Sequence, residues 1–219
     1  MEQFEQCCSK VPATLLRSAI ERNSANLEDF ISKKSRFVES LSGITVVNWL
    51  LGVGDRHLEN IMYNYADGTV CNIDWGGALQ YGAGELPCAR LTRSLLAACE
   101  LGVLESKLQK IVQRLRNNST LLLAVLEVSF AWREDRQEKM MYMRGLLQGT
   151  RLSYQITKDV LRKSNVKYKE KYIELLDEVF QDFENKESYS VEEQVSCLLR
   201  QSTDPRILSV TRLKWEPWL

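Results

Sequence analysis

Histidine and clustered cysteines are nearly absent from this sequence. His57 is the single histidine, and the six cysteines include no C-x-x-C pair. A structural zinc site takes its ligands mainly from Cys and His, so this composition argues against a zinc-dependent fold. The cysteines are also too few and too irregularly spaced for a disulfide framework. We therefore expect reduced thiols, as in the cytosol or the nucleus.

Net charge and long apolar runs are lacking as well. The 29 Lys and Arg residues balance the 29 Asp and Glu residues, so no overall field would draw the chain to nucleic acid or to an anionic membrane. The apolar stretch near Val46–Val53 is far shorter than the roughly 20 residues that span a bilayer. The first residues carry no secretory signal pattern. We expect a soluble chain with no membrane partner.

Glycine and proline are scarce, with 11 and 4 residues. Apolar residues instead recur with the 3.6-residue period of helices, which predicts a mainly α fold of the α+β class. Helices are predicted at Val11–Arg22, Leu27–Leu51 with a candidate break at Gly43, Leu91–Leu101, Leu104–Leu115, Leu121–Phe130, Glu134–Leu147, Ser153–Phe183 and Val191–Arg200. Ser190 and Glu193 form a capping-box pattern at the start of the last helix.

One β-hairpin interrupts the helical pattern. The glycine-containing segment Gly52–Asn60 reads as a loop, and two short apolar runs, Ile61–Tyr65 and Thr69–Ile73, follow it. Asp67-Gly68 lies between these runs and is typical of a hairpin turn. The hairpin would therefore fold Asp74, the next residue, back beside Asn60.

The densest polar cluster of the chain lies at this hairpin. Asp55, Arg56, His57 and Asn60 precede the first strand, and Asp74 follows the second. Phosphoryl transfer needs an oriented hydroxyl and a cation on the phosphates. One carboxylate can orient the hydroxyl, while an Asn oxygen and a second carboxylate suit Mg²⁺. Taken singly these residues would be ordinary turn and capping residues, but their joint spacing is that of a kinase catalytic loop and metal-binding Asp.

The motif Gly54-Asp55-Arg56-His57-x-x-Asn60, with His after Asp, resembles the phosphatidylinositol 3-kinase-related superfamily of lipid kinases and giant protein kinases. The resemblance implies a kinase C-lobe that uses ATP and Mg²⁺. It implies that Asp55 orients the substrate hydroxyl, His57 steadies the transferring phosphate, and Asn60 and Asp74 bind the metal. Arg56 would support the catalytic loop as a partner of its carboxylates.

The segment after Asp74 departs from the family pattern. By resemblance Trp75, Gly76 and Arg90 belong to the activation segment, which is several residues shorter than in the family. Trp75 replaces a usual Phe, and Gly77 replaces a His. A lipid kinase would present lysines to its headgroup here, yet Arg90 is the only basic residue between Trp75 and Leu91.

The end of the chain resembles the FATC segment that closes the giant protein kinases. The matching motifs are Glu193-Gln194-Val195, Thr203-Asp204-Pro205 and Trp215-Glu216-Pro217-Trp218. The resemblance divides the chain into a kinase C-lobe at 1–183, a linker at 184–189 and an FATC domain at 190–219. The aromatic tail residues Trp215 and Trp218 are expected to pack back on the domain.

The sequence contains no Gly-rich phosphate loop followed by a strand lysine, because Gly82-Ala83-Gly84 lies after Asp74, on the wrong side of the motif order. Without the N-lobe and the upstream helical-repeat region, we expect no phosphotransfer from this chain alone. Met1, inside an otherwise matching region, suggests an incomplete product.

The resemblance implies a nuclear serine/threonine kinase of DNA double-strand-break repair by non-homologous end joining. Such a kinase acts on protein substrates and reaches DNA ends through a DNA-end-binding protein, in its full-length form only. A non-catalytic interaction module and a phosphoinositide kinase are the alternatives.

Overall fold

A computed structural model describes residues 1–54, 56, 58–79 and 89–210, without the side chain of Leu58. The predicted mainly helical chain with one short hairpin is confirmed. The elements in these ranges are α1 (Glu2–Lys10), α2 (Leu15–Arg22), α3 (Leu27–Leu51), a 3₁₀ turn (Leu58–Asn60), β1 (Ile61–Tyr63), β2 (Val70–Asn72), α4 (Arg93–Ala98), α5 (Leu101–Asn117), α6 (Ser119–Ser129), α7 (Arg136–Leu147), α8 (Ser153–Lys163), α9 (Lys169–Val179), α10 (Val191–Thr203) and α11 (Pro205–Val210).

Helix α3 is the central element of the core. Its N-cap residue Asn26 accepts a hydrogen bond from the backbone N–H of Asp29 at 2.9 Å, and it ends at Gly52 in the left-handed region. Phe37 and Trp49 are almost completely buried within it. The candidate break at Gly43 was wrong, because the helix continues through that residue. A glycine costs a helix only about 1 kcal/mol, and burial of the residues on both sides of Gly43 outweighs it.

The hairpin pairs β1 and β2 in antiparallel register, with Ile61 opposite Asn72 and Tyr63 opposite Val70. The predicted hairpin is confirmed, with strands of three residues each. In its turn, Asp67 Oδ1 accepts hydrogen bonds from the backbone N–H and the hydroxyl of Thr69. The hairpin is fastened to α3, since the Val70 N–H donates to Ser40 Oγ at 2.9 Å.

The predicted long helix Ser153–Phe183 is wrong as a single element. It is two helices, α8 and α9, separated at Ser164–Tyr168. The Ser164 hydroxyl donates to the carbonyl of Leu161 and accepts from the N–H of Val166, a local bonding pattern that competes with helix continuation. Tyr168 then takes a left-handed conformation before α9 begins.

Smaller corrections concern the two ends. The helix predicted from Val11 begins at Leu15, and Pro12 lies in the turn before it. Helices α1 and α11 were not predicted at all. None of the helices in the described ranges combines the length and the hydropathy needed to cross a bilayer.

Five cysteines fall within the described ranges and all are free thiols, while Cys88 lies outside them. Burial raises the pKa of the Cys99 thiol to about 11 and that of Cys197 to about 11. These two side chains are therefore packing residues that stay protonated near neutral pH.

Helix α10 belongs to the same hydrophobic core as α3 and α5. Val195 and Leu198 are buried in one cluster with residues of both helices. The predicted capping box is confirmed: Ser190 Oγ accepts from the N–H of Glu193, whose carboxylate accepts from the N–H of Ser190. The segment 184–189 has no helix or strand, although Tyr189 in it is buried.

Gln194 links α10 to three other parts of the fold. Its Nε2 donates to the carbonyls of Leu146 and Arg151, each at 3.0 Å, and its Oε1 accepts from Arg116 Nη1 at 3.4 Å. The same Arg116 atom donates to the carbonyl of Tyr189 at 2.9 Å. This buried network ties the start of α10 to α5 and to the α7–α8 connection.

We predict that Gln194→Ala lowers the free energy of unfolding by about 2–3 kcal/mol, because it strands two carbonyls and a guanidinium donor. Gln113→Ala is the matched control: this glutamine is on α5, exposed, and bonded only to Asn117 among described residues. Its effect should stay within about 0.5 kcal/mol. Urea unfolding measures the free energy of unfolding of both variants. Equal losses in Gln194→Ala and Gln113→Ala would contradict the assigned network.

Candidate active site

The loop between α3 and β1 carries the predicted catalytic residues. Gly52 ends α3 in the left-handed region, and the N–H of the fully buried Val53 donates to the Asn48 carbonyl at 3.0 Å. The loop then passes through Gly54 and Arg56 to the 3₁₀ turn. Asp55 and His57 lie outside the described residues.

Arg56 joins this loop to the segment after β2. Its side chain is 1% exposed. Nε donates to the Gly54 carbonyl at 2.8 Å and Nη1 to the Ile73 carbonyl at 2.9 Å, while Nη2 donates to the carbonyl of Asp74. These three partners are backbone carbonyls, and the partnership with loop carboxylates expected from the sequence stays a prediction. We call this set of guanidinium hydrogen bonds the Arg56 fork. It fixes the spacing between the loop and the segment after β2.

Asn60 and Asp74 are brought together by the hairpin. The N–H of Ile73 donates to the Asn60 carbonyl at 3.0 Å, so the strand pairing continues one position past Asn72. Asn60 is buried. Asp74 follows Ile73, the residue that pairs with Asn60, and is exposed. The predicted return of Asp74 to the neighbourhood of Asn60 is therefore what the hairpin produces.

Asp74 has an unusual backbone conformation, with φ at 54°. This left-handed region is uncommon for residues other than glycine and is often found where a side chain is held for a task. Asp74 Oδ1 accepts from the Gly76 N–H at 3.1 Å. Within the described part of the chain no hydrogen bond reaches Oδ2, which leaves that oxygen open to a cation.

The hairpin has one buried and one exposed face. Strand alternation puts Ile61, Tyr63, Val70 and Asn72 toward the core. Met62, Cys71 and Ile73 share the other face, on which Met62 is 50% and Ile73 44% exposed. Trp75, the next residue after Asp74, is also exposed. These exposed side chains form an open, largely apolar platform, and the buried Asn60 immediately precedes its first strand.

The segment after Asp74 is clamped to the end of α3. The Gly54 N–H donates to the Gly77 carbonyl at 2.9 Å, and the N–H of the buried Leu79 donates to the Leu51 carbonyl at 2.7 Å. A Cβ on Gly77 would lie only 2.9 Å from the Gly54 carbonyl oxygen. The two backbone segments approach so closely that glycine fits at position 77. A histidine, the residue of the family pattern, does not fit there.

Beyond residues 80–88, which are outside the described ranges, Ala89 and Arg90 are buried. The Leu91 N–H donates to the Ser202 carbonyl of α10 at 3.0 Å. The end of the predicted activation segment is therefore anchored on the helix of the predicted FATC segment. Trp215 and Trp218 lie outside the described residues.

Sequence reasoning missed two contributors to the site. The Gly54–Gly77 contact is one. The other is a buried hydrogen bond at 2.9 Å from Asn72 Nδ2 to Asn48 Oδ1, which joins β2 to α3 just before the catalytic loop. The available signal was a polar residue at a core-facing strand position, where a side chain needs a buried partner.

We predict that Gly77→Ala destabilises the fold by about 1–3 kcal/mol, because the new Cβ must push the Gly54 backbone away. Gly43→Ala is the matched control, since nothing lies within 4 Å of a Cβ at that helical position. It should be neutral or stabilising by up to about 1 kcal/mol. Chemical unfolding compares the two, and a neutral Gly77→Ala would refute the close approach.

Comparison with known proteins agrees with this geometry. Residues 1–134 match the family described as phosphatidylinositol 3- and 4-kinase. Over 99% of its length, the chain is 30% identical to the DNA-dependent protein kinase catalytic subunit of Gallus gallus and 28% identical to that of Canis lupus familiaris. The target of rapamycin homolog of Caenorhabditis elegans is 30% identical over 58% of the chain.

The chain spans 6% of the length of the two DNA-dependent protein kinase relatives. The alignment to the canine protein occupies 258 positions against 219 residues here, so that relative carries insertions. The solved FAT and kinase domain of CtTel1 superimposes with a TM-score of 0.59 over 90% of this chain and 13% of that one, at 20% identity, which supports the fold. The chain belongs to the phosphatidylinositol 3- and 4-kinase family, in its branch of phosphatidylinositol 3-kinase-related protein kinases.

Proposed function

We propose that this chain is the catalytic-loop half of a serine/threonine protein kinase, the half that holds Mg²⁺ and orients the hydroxyl that accepts the ATP γ-phosphate. The observation that carries the proposal is the hydrogen bond from the Ile73 N–H to the Asn60 carbonyl at 3.0 Å. It sets Asn60 beside Asp74, the two residues whose side chains suit the metal.

Asn60 and Asp74 fit a magnesium ion by the chemistry of their donors. An amide oxygen and a carboxylate are hard oxygen ligands, and Mg²⁺ commonly takes one or two protein ligands and completes its shell with water and phosphate. Bound there, the ion would neutralise charge on the phosphates. The exposure of Asp74 leaves room for a nucleotide.

Asp55 and His57 are assigned to the hydroxyl and to the transferring phosphate on the family motif alone. In sequence, Asp55 lies between Gly54 and Arg56. Both neighbours are bonded to the segment 73–77, and these bonds support the proposal that the loop is preorganised. Preorganisation of this kind is the main contribution a protein makes to phosphoryl transfer.

The exposed platform formed by Met62 and Ile73 is the proposed floor for the adenine ring. Both side chains are apolar, open to solvent and on the exposed face of the hairpin. A flat base buried there would gain from removal of apolar surface from water. Its roof would come from an N-lobe, which makes an N-lobe the first partner of this surface.

Protein rather than lipid is the proposed phosphate acceptor. Between Trp75 and Leu91 the sequence has one basic residue, Arg90, and that side chain is 7% exposed. It is therefore poorly placed to attract an anionic headgroup, which needs exposed positive charge. The relatives that align over the whole chain are named as protein kinases.

For the whole protein we propose the setting suggested by those names: a nuclear kinase of DNA double-strand-break repair by non-homologous end joining. It would act on protein serine and threonine, and meet DNA ends through a DNA-end-binding protein. We also propose 1–183 as the C-lobe, 184–189 as its linker and 190–219 as the FATC domain. A non-catalytic interaction module remains the alternative for a chain without an N-lobe.

The metal site can be tested without activity. In the ¹⁵N spectrum of the chain, Mn²⁺–ADP should broaden amide signals around Asn60 and Asp74, because the paramagnetic ion lies close to them. Asp74→Asn and Asn60→Ala should each weaken this effect about tenfold or more, as expected for loss of a metal ligand.

Asp67→Asn is the matched control on the same hairpin. Hydrogen bonds from Thr69 hold the pKa of the Asp67 carboxyl below its ordinary value, and an Asn oxygen can accept the same bonds. Broadening that persists in Asp74→Asn but disappears in Asp67→Asn would refute the assignment. Phosphotransfer by the purified chain that is lost in Asp74→Ala would refute the expected need for an N-lobe.

A further inference from the structure

We propose that a cavity behind the catalytic hairpin is a binding site for a small neutral aromatic alcohol of the phenol class. The cavity has a volume of about 160 Å³. It lies between the core face of the hairpin, α2 and the start of α4. Its lining consists of Leu16, Ile61, Tyr63, Val70, Thr92, Ser94 and Leu95.

Three hydroxyls in this lining lack hydrogen-bond partners. The hydroxyl oxygens of Tyr63, Thr92 and Ser94 are buried, and none bonds to any group in the described part of the chain. Thr92 is 1% and Ser94 4% exposed. Buried polar groups are nearly always paired, because an unpaired one loses its hydration without compensation. Three unpaired hydroxyls around one cavity indicate that something polar belongs inside it.

Thr92 departs from the usual behaviour of its position. It is the N-cap residue of α4, where threonine normally accepts a backbone hydrogen bond, yet its side chain makes no capping bond. Ser42 and Thr157, which are equally buried, donate to the carbonyls of Val38 and Ser153. Outside the cavity the Ser202 hydroxyl is also buried and unpaired, so what distinguishes the cavity is that three such hydroxyls belong to one lining.

The lining also defines the chemical class of the ligand. None of the seven residues is charged, so an ion would gain no partner there. Four aliphatic side chains and a tyrosine ring favour an apolar body, and a cavity of about 150 Å³ is known to hold benzene. A single hydroxyl on such a ring can donate to one protein hydroxyl and accept from another. Phenol is neutral, has an apolar ring of suitable size and carries a single hydroxyl.

The cavity is separate from the proposed metal site. Tyr63 and Val70 are on the core face of the hairpin, while Met62 and Cys71 are on the opposite face, and neither Asn60 nor Asp74 belongs to the lining. A ligand in the cavity would therefore contact β1 from behind, and its binding does not depend on the proposed function.

The test is a ¹⁵N NMR titration of the full 219-residue chain with phenol and, separately, with toluene. We expect phenol to shift the amide signals of Tyr63, Thr92 and Ser94, with a Kd on the order of 1 mM. The double variant Thr92→Val/Ser94→Ala should bind phenol about five- to tenfold more weakly. Its toluene affinity should be unchanged.

A filling variant and its neighbour complete the design. Leu16→Trp, at a lining position, should abolish binding of both ligands, whereas Leu15→Trp, at the exposed neighbouring position, should leave both unchanged. The free energy of unfolding of the double variant Thr92→Val/Ser94→Ala should be equal or higher, because the substitutions remove only unpaired hydroxyls.

Two results would overturn the proposal. One is the absence of phenol-induced shifts at these amides, which would leave ordered water as the partner of the hydroxyls. The other is equal weakening of phenol and toluene binding in the double variant Thr92→Val/Ser94→Ala.

Discussion

A buried guanidinium group must satisfy its donors inside the protein, and the Arg56 side chain imposes this requirement on the active-site region. Leaving such a charge buried without hydrogen bonds costs several kcal/mol. Arg56 meets the requirement with the carbonyls of Gly54, Ile73 and Asp74, from two segments about 20 residues apart in sequence. These segments have to converge for the cation to be buried, so the electrostatics of one side chain determines the geometry of the site.

The surrounding contacts depend on that convergence. With the two segments together, Ile73 pairs with Asn60, Gly77 lies against Gly54 and Leu79 bonds to the end of α3. The left-handed conformation of Asp74 occurs at the residue whose carbonyl accepts from Arg56. This conformation costs about 1–3 kcal/mol, which the other contacts of the same segment offset.

The scaffold beneath the site is continuous with the last helices of the chain. Helix α3 supports the hairpin through Ser40 and Asn48, and α10 packs in the same core while its Ser202 carbonyl accepts from Leu91. A change in α10 can therefore reach Leu91, at the end of the predicted activation segment, through one hydrogen bond.

The sequence predicted those structural features that depend on residues close together in the chain. Helical periodicity, the Asp67-Gly68 turn and the Ser190–Glu193 capping box each depend on residues a few positions apart, and all three were predicted. The spacing of Asn60 and Asp74 around a hairpin was also sufficient to bring them together. The break between α8 and α9 was missed, because the local bonds of Ser164 outweigh an apolar pattern that continues through it.

Features that depend on distant residues could not be predicted. The contact of Gly54 with Gly77 and the carbonyl partners of Arg56 need the folded path of two loops. The cavity behind the hairpin combines residues of β1, β2, α2 and α4, and an unpaired hydroxyl has no signature in sequence. Such contacts arise only when separate elements pack together.

The Arg56 fork holds Asp74 beside Asn60. The most direct measurement is hydrogen exchange of the Ile73 amide in the native chain and in Arg56→Lys, with the Leu108 amide in α5 as internal reference. We expect at least about tenfold faster exchange at Ile73, since lysine keeps the charge but not the planar guanidinium group, with no change at Leu108. Unchanged exchange at Ile73 in a folded Arg56→Lys chain would contradict it.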